Sequence, residues 1–306
     1  MPVNSLPKID LNNISATMKT RTVKKVLALQ EEIKAATATW QAKETPHSFL
    51  TSIQKKALLG VVLDKEFTQE VKSVAASGPL GILPSYDPEV DWQTKDGSKV
   101  SPVKDQGTCG SCVSFGTVGL MESMALLEHD ILLDLSEADL HFCSSHGVSC
   151  KGWYPSQALK SVKERGVTDE IHFPYASAFS GGAPICKLAP DRDQHGYKFN
   201  TSSWQIFDAY RKDYITHTGP MIACMTVYDD FFSYGSGVYH HVSGSRAGGH
   251  CILVVGYSES QGCWICKNSW GTDWGEAGFF KIAYGECGIN TILSPFFGVQ
   301  GIMLPS

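Results

Sequence analysis

The chain has 306 residues, 42% hydrophobic and 19% charged, which describes a folded globular protein of one large or two medium domains rather than a disordered chain. Its apolar runs, such as Ala57–Leu63 and Cys251–Val255, stop far short of the ~18 residues of a membrane span, so no transmembrane helix is expected. A net charge of −5 gives no reason to expect a nucleic-acid partner.

The charge is unevenly spread. Residues 1–85 carry 11 Lys+Arg against 7 Asp+Glu, net +4, and residues 86–306 carry 15 against 24, net −9. A basic N-terminal part and an acidic body are two surfaces able to attract each other; chance variation among solvated faces gives the same numbers.

Met1-Pro2-Val3-Asn4 lacks a basic region followed by an apolar run, so either the protein is cytosolic or a leader has been removed. From about Ser15 to Ala42, Val23, Val26/Leu27, Ile33, Thr37 and Trp40 recur at helical spacing. Pro46 ends that helix, and Ser52–Val62 reads as a second, shorter one. Ser77-Gly78-Pro79-Leu80-Gly81, Pro84 and Pro88 form a breaker-rich linker, which places a domain boundary at about residue 84. Residues 1–84 are too small and too helical to be an enzyme by themselves.

The body begins with turn-rich sequence, then Ser111–Leu127 and Trp153–Arg165 read as helices, the second closed by Gly166. Pro220–Val227, Cys251–Tyr257, Cys263–Asn268 and Gly278–Ile282 are short β-type runs separated by Gly, Ser and Asp. A helical half followed by a strand-rich half, without βαβ alternation, predicts an α+β fold of two subdomains.

Cys112 stands in Gln106-Gly107-Thr108-Cys109-Gly110-Ser111-Cys112, at the head of the first apolar helix of the body. A helix N-terminus favours the thiolate, lowering a Cys pKa from ~8.5 to as little as ~3.5–7.5. His250 follows 138 residues later in Gly248-Gly249-His250, at the head of an apolar strand. That spacing suits a thiol nucleophile and its base. Asn268 ends the next strand in Lys267-Asn268-Ser269-Trp270-Gly271, where a side-chain oxygen accepting the imidazole N–H would fix the ring's tautomer.

At these three blocks, Gln106–Cys112, His250 with its flanks and Asn268–Trp274, the sequence resembles the papain-like cysteine proteases over residues 85–306. The resemblance implies Cys112 as nucleophile, His250 as general base then acid, Asn268 as the orienting residue and Gln106 as an oxyanion donor. Trp270 would shield the His250–Asn268 contact. Ser236–Val242, Phe279–Ile282, Cys287-Gly288-Ile289 and, in the N-terminal part, Thr39-Trp40-Gln41-Ala42 with Leu59-Gly60 are most similar to cathepsin B-type members. This implies that residues 1–84 are a mainly helical, inhibitory propeptide lying backwards through the cleft.

Three departures from the pattern matter. The residue after the nucleophile, usually Trp, is Val113. The usual Gly-Gly is Gly152-Trp153, whose indole is expected to reshape or narrow the non-primed cleft. The His-paired occluding loop of cathepsin B is not expected, because the stretch from Cys150 to Cys186 is short and holds only His172. Endopeptidase action is therefore expected rather than dipeptide release from C-termini.

The resemblance further implies the disulfides Cys109–Cys150 and Cys143–Cys186, and hence an oxidising, secreted or lysosome-like compartment. Alongside Gly152 and Trp153, the pocket for the residue two before the scissile bond would be walled by Tyr154, Pro155, Gly249 and Cys251. Ile292 would stand at its base, giving an apolar preference. The pairs Cys109/Cys112 and Cys263/Cys266 could instead suggest a zinc ribbon, but their separation of about 150 residues is far from the usual ~15–20. No metal or cofactor is expected. The partners implied are protein or peptide substrates and the chain's own propeptide, on a monomer. Asn13-Ile14-Ser15 and Asn200-Thr201-Ser202 fit the N-glycosylation pattern.

Overall fold

A computed structural model describes residues 14–79, 81, 83–144, 149–179, 185–187 and 190–305. Asn13 of the first glycosylation signal, the start of the N-terminal segment and parts of the stretch between Cys143 and Cys186 lie outside these residues.

The N-terminal segment opens with α1 (Ala16–Ala35), capped by the Ser15 hydroxyl on the Met18 N–H. Thr22, Val26, Leu29 and Ile33 form its single buried stripe, the i, i+4, i+7 spacing of a helix resting on one surface. The helix stops seven residues before the expected Ala42, because Thr37 turns into the left-handed region at φ 53°. The chain then joins β1 (Gln41–Ala42), which pairs antiparallel with the body. Trp40 is buried, with its ring 5.1 Å from Tyr239 and 6.2 Å from Tyr234. A 3-10 turn at Pro46–Phe49 and α2 (Ser52–Ala57) follow, each opened by a capping box, Thr45/Ser48 and Thr51/Gln54.

The second expected helix does not reach Val62. Leu58 caps α2 in a helical conformation, and the chain then leaves the helix because its main chain bonds to the body: Trp153 N–H donates to Gly60 O (3.0 Å), Val62 N–H to Trp153 O (3.0 Å) and Val61 N–H to Gly249 O (3.3 Å). An unexpected helix follows, α3 (Lys65–Ser77), capped by Asp64. Its Phe67 packs between Tyr154, Trp204 and Phe297 at ring distances of 5.3–5.9 Å.

The body starts with β2 (Glu89–Asp91) and reaches α4 (Cys112–His129), whose first fourteen residues are all buried. A helix apolar on every side belongs at the centre of a fold. It lies against the sheet on one side and against α5 (Glu137–Phe142) and α6 (Pro155–Arg165) on the other. The remaining elements are β3 (Lys198–Gln205), α7 (Asp208–His217), β4 (Met221–Tyr228), β5 (Tyr234–Ser236), β6 (Val238–Tyr239), β7 (Arg246–Ser258), β8 (Cys263–Lys267), β9 (Phe279–Ala283) and β10 (Phe296–Met303). The main sheet runs β3-β10-β4-β7-β8-β9-β6, with β2 beside β7 and β1 paired to β5 separately. All these pairings are antiparallel except β6–β9. The fold is thus α+β, a helical half set against a strand-rich half, as the order of elements predicts. No helix among the described residues is long and apolar enough to cross a membrane.

Both cystine bridges, Cys109–Cys150 and Cys143–Cys186, are present, and the other six cysteines are free thiols. Each closes a loop of about forty residues in the helical half, worth a few kcal/mol (roughly 2–4) by restricting the unfolded chain.

Candidate active site

Two antiparallel ladders build one wall of the site. The β4–β7 ladder sets His250 opposite Met225 and Cys251 opposite Cys224. The β7–β8 ladder ends at Leu253↔Lys267. Continuing that register places Asn268 diagonal to His250 on the same face, within reach of a side-chain pair. The contact is made: His250 Nε2 donates to Asn268 Oδ1 at 2.8 Å. The Ser269 N–H also donates to that oxygen (2.8 Å), which fixes the amide orientation and therefore the tautomer, leaving Nδ1 as the basic nitrogen. Trp270 covers the pair, its ring 4.9 Å from the imidazole.

The other wall is the N-terminus of α4. Cys112 is fully buried there, and its thiol meets the main chain of Cys251, Gly60 and Val113. Gln106 hangs beside it. Its Oε1 accepts from the Ser269 hydroxyl (2.6 Å), and its Nε2 donates to Cys109 O (2.6 Å) and to Leu58 O (2.9 Å). Ser269 thus ties Gln106 to the loop that carries Asn268. Tyr175 braces the same segment from outside, its hydroxyl donating to Gln106 O (3.0 Å). No sequence pattern singled out Ser269 or Tyr175, because their roles exist only once distant segments meet.

Burial governs protonation here. It pushes the Cys112 thiol up to about 12, against main-chain hydrogen bonds from Cys251 and Gly60. It lowers His250 to about 4, opposed only by the bond to Asn268. Both groups are therefore neutral near pH 7, and His250 Nδ1 is buried without a hydrogen-bond partner among the described residues.

What buries them is the stretch 58–62. Gly60 crosses at a point with no room for a side chain: a Cβ there would sit 1.7 Å from Gly110 O, and one on Gly152 (φ +88°) would sit 1.8 Å from Gly60 O. Val61 forms a parallel bridge with Trp153. On the far side His47 stacks on Trp270 with ring centroids 5.0 Å apart. Neither His47 nor Gly60 had been assigned a contact with the site from sequence.

Of the expected pocket residues, Gly152, Trp153 and Gly249 line the path of residues 58–62, and a Cβ on Gly249 would lie 3.1 Å from that of Val61. Tyr154 and Pro155, the first residue of α6, are buried beside them. Cys251 points inward, its sulfur 3.1 Å from where a Gly116 Cβ would be. Ile292 is 44% exposed on the loop leading into β10, a loop held beside β4 by the Ser294 hydroxyl on Cys224 O (3.1 Å).

The expectation for the Trp153 side chain is corrected. It is 3% exposed with the N-terminal segment in place, and its indole is hydrogen-bonded within the helical half. Its indole N–H donates to the Ser114 hydroxyl (3.1 Å), which bonds His141 Nδ1 (2.8 Å), whose Nε2 meets Ser149 O (3.1 Å). Ser114 adjoins Val113, so the indole is drawn inward beside the first turn of α4, where Val113 is the smaller residue.

The expected electrostatic docking is also qualified. Among the described residues no ion pair joins the N-terminal segment to the body. The contact is aromatic and hydrogen-bonded: Lys43 Nζ donates to Gly275 O (2.7 Å), the Ser156 hydroxyl donates to the Asp64 carboxylate (3.0 Å), and Lys55 lies over the Phe232 ring at 4.7 Å, where Asp229 and Asp230 also attract its charge.

Residues 86–295 match the model of the papain family cysteine proteases. The chain is 32% identical over 256 residues to a gut-specific cysteine proteinase of Caenorhabditis elegans, covering 73% of this chain and 76% of that protein. It is 36% identical over 221 residues to pro-cathepsin H of Mus musculus, covering 68% and 64%. Similar solved structures include procathepsin B S9 of Trypanosoma congolense (TM-score 0.71, 23% identity, 94% of this chain and 98% of that one). Another is procathepsin L2 from the larval midgut of Tenebrio molitor (TM-score 0.75, 23% identity, 94% of both). By family model and by sequence, the chain belongs to the papain family of cysteine proteases.

Proposed function

We propose that the protein is a cysteine endopeptidase in its zymogen form, with residues 1–84 as inhibitory propeptide and residues 85–306 as the peptidase. The observation that carries this reading is the convergence of Cys112, the His250–Asn268 pair and Gln106 beneath the stretch 58–62. That stretch pairs in parallel with Trp153, and Leu58 O holds the Gln106 donor.

Once the propeptide leaves, water reaches Cys112 and His250 and the burial penalty on their charged forms falls. The proton moves from thiol to imidazole, and the thiolate, favoured by the α4 N-terminus, attacks the peptide carbonyl. Gln106 Nε2 and the Cys112 N–H hold the oxyanion, about 2.7–4 kcal/mol for each such donor. His250 gives its proton to the leaving amine, then takes one from water as the acyl-enzyme is hydrolysed. No metal or cofactor takes part.

Within the family we read the chain as cathepsin B-type without the occluding loop, since Cys143 bridges directly to Cys186 with no further cysteine between Cys150 and Cys186. Ile292 replaces an acidic partner at the pocket base and favours Leu, Val or Phe two before the scissile bond. The two disulfides suit a secreted or lysosome-like compartment. A second reading, a proteolytically weak binding module, would rest on Val113 and on Trp153 obstructing the cleft; the indole's hydrogen bond to Ser114 in the interior speaks against that obstruction.

Mass spectrometry of the acid-incubated protein tests the reading. Wild type should lose a fragment ending near residue 84 while Cys112→Ala stays whole. An intact wild-type chain that also hydrolyses no peptide after the segment is cut by an added protease would contradict it.

A further inference from the structure

Away from the cleft, Asp169, His172, Asp191 and His195 meet on the helical half. The Asp169 carboxylate accepts from the His172 N–H (3.0 Å) and from His172 Nδ1 (2.6 Å), which pins that ring and turns its Nε2 outward. The ring of His195, from the 3-10 turn Arg192–His195, stacks on it with centroids 3.9 Å apart and planes 25° apart. Asp191 Oδ2 lies 3.9 Å from His172 Nε2 and 3.6 Å from His195 Nε2. Among the described residues neither Asp169 nor Asp191 pairs with a lysine or arginine; the neighbouring Arg192 turns to Asp139 and Asp193 instead. The cluster thus brings two carboxylates and two imidazoles together with no lysine or arginine among the described residues paired to either carboxylate.

We propose that this cluster binds a divalent transition-metal ion of the zinc class, through His172 Nε2, His195 Nε2 and the Asp191 carboxylate, with Asp169 as the carboxylate behind the first histidine. Imidazole with carboxylate is a borderline donor set, suited to Zn2+ or Co2+ rather than Ca2+. A ligand histidine whose other nitrogen bonds a carboxylate is the arrangement that fixes tautomer and raises basicity at metal sites. Asp169, His172 and His195 each offer a ligand atom within 4.8 Å of the others, and since bonds of 2.0–2.1 Å in a tetrahedron put ligand atoms about 3.3 Å apart, the separations to Asp191 need to close by about 0.3 and 0.6 Å. The stacked rings aim their lone pairs side by side, and one ring must swing to share an ion. His195 is the one free to do so, with its side chain 38% exposed against 21% for the pinned His172. Water completes the coordination. The ion clips the turn at Asp169–His172 to the turn at Arg192–His195, on either side of Cys186 and its bridge to Cys143.

The test uses the full chain carrying Cys112→Ala, which cannot process itself and lacks the catalytic thiol as a competing ligand. Zn2+ is titrated calorimetrically near neutral pH, and Co2+ is followed by its visible spectrum. The expected result is one equivalent bound, with a Co2+ spectrum free of thiolate charge transfer. Binding should be lost in His195→Ala and weakened about 10–100-fold in Asp169→Asn. Zn2+ should raise the melting temperature of the parent but not of His195→Gln, which keeps a polar side chain at this half-exposed position. Unchanged stoichiometry and affinity in a His172→Ala/His195→Ala double variant would place the ion on the free cysteines and overturn the proposal. So would an absence of saturable binding to the parent.

Discussion

His47 of the N-terminal segment lies stacked on Trp270 at 5.0 Å and 21°, while the same indole flanks His250 at 4.9 Å. Burial lowers the His47 imidazole to about 3, and the neighbouring His250 and Lys55 charges act in the same direction. A free imidazole titrates near 6.5. Between these values the docked segment binds fewer protons than the released one, so docking is fully present above about pH 6.5 and weakens as pH falls. Acidification from pH 7 to 5 should therefore weaken inhibition of the isolated body by residues 1–84 by up to about 30-fold from this group alone. His47→Phe, which keeps the stack, should flatten that pH profile. An identical profile in the variant would remove His47 from the release mechanism.

Gly60 is the second point of control. Its Cβ position overlaps Gly110 O at 1.7 Å, and that contact is main chain, which cannot step aside cheaply. Gly60→Ala should raise the inhibition constant of residues 1–84 at least about tenfold, equivalent to 1.4 kcal/mol, and should speed zymogen processing. The peptidase body is untouched, so its melting temperature should not move.

Trp153 is expected to act through packing and through its bond to Ser114. Trp153→Ala opens a cavity beside α4 and should cost about 3–5 kcal/mol of stability. Ser114→Ala removes one partner of the indole and of His141, costing about 1–3 kcal/mol. Thermal unfolding of the processed enzyme checks both. A substitution that widened the cleft and raised turnover without loss of stability would restore the obstruction that the buried indole argues against.

Ile292 carries the expected specificity. Ile292→Glu should raise kcat/KM for peptides with Arg two before the scissile bond by about tenfold and lower it for Leu, because a carboxylate pairs with guanidinium and rejects an apolar side chain. Comparable turnover of both peptide classes by wild type would contradict an apolar pocket.

Cys112, His250 and Asn268 could be singled out from the chain because each sits in a distinctive local block: Cys112 at a helix start, His250 in one strand and Asn268 just past the end of its neighbour. The α+β order followed from the same periodicities. The sequence extends the second helix through residues 58–62 because Ala57–Leu63 is a short apolar run, and such a run serves a helix or an extended strand equally well. Hydrogen bonds to Trp153 and Gly249, far along the chain, decide it. The direction of the Trp153 indole depended on Ser114 and His141, and the role of His47 on Trp270. Partners of that kind leave no periodic trace.

Labelling with a thiol-directed epoxide, before and after removal of residues 1–84, bears most directly on latent thiolate chemistry at Cys112. The account predicts almost no labelling of the intact chain, where burial keeps Cys112 a neutral thiol. After removal it predicts one equivalent on Cys112, lost in Cys112→Ala and strongly slowed in His250→Ala. Full labelling of the intact chain, or a processed protein whose label falls elsewhere and whose peptide hydrolysis survives Cys112→Ala, would contradict it.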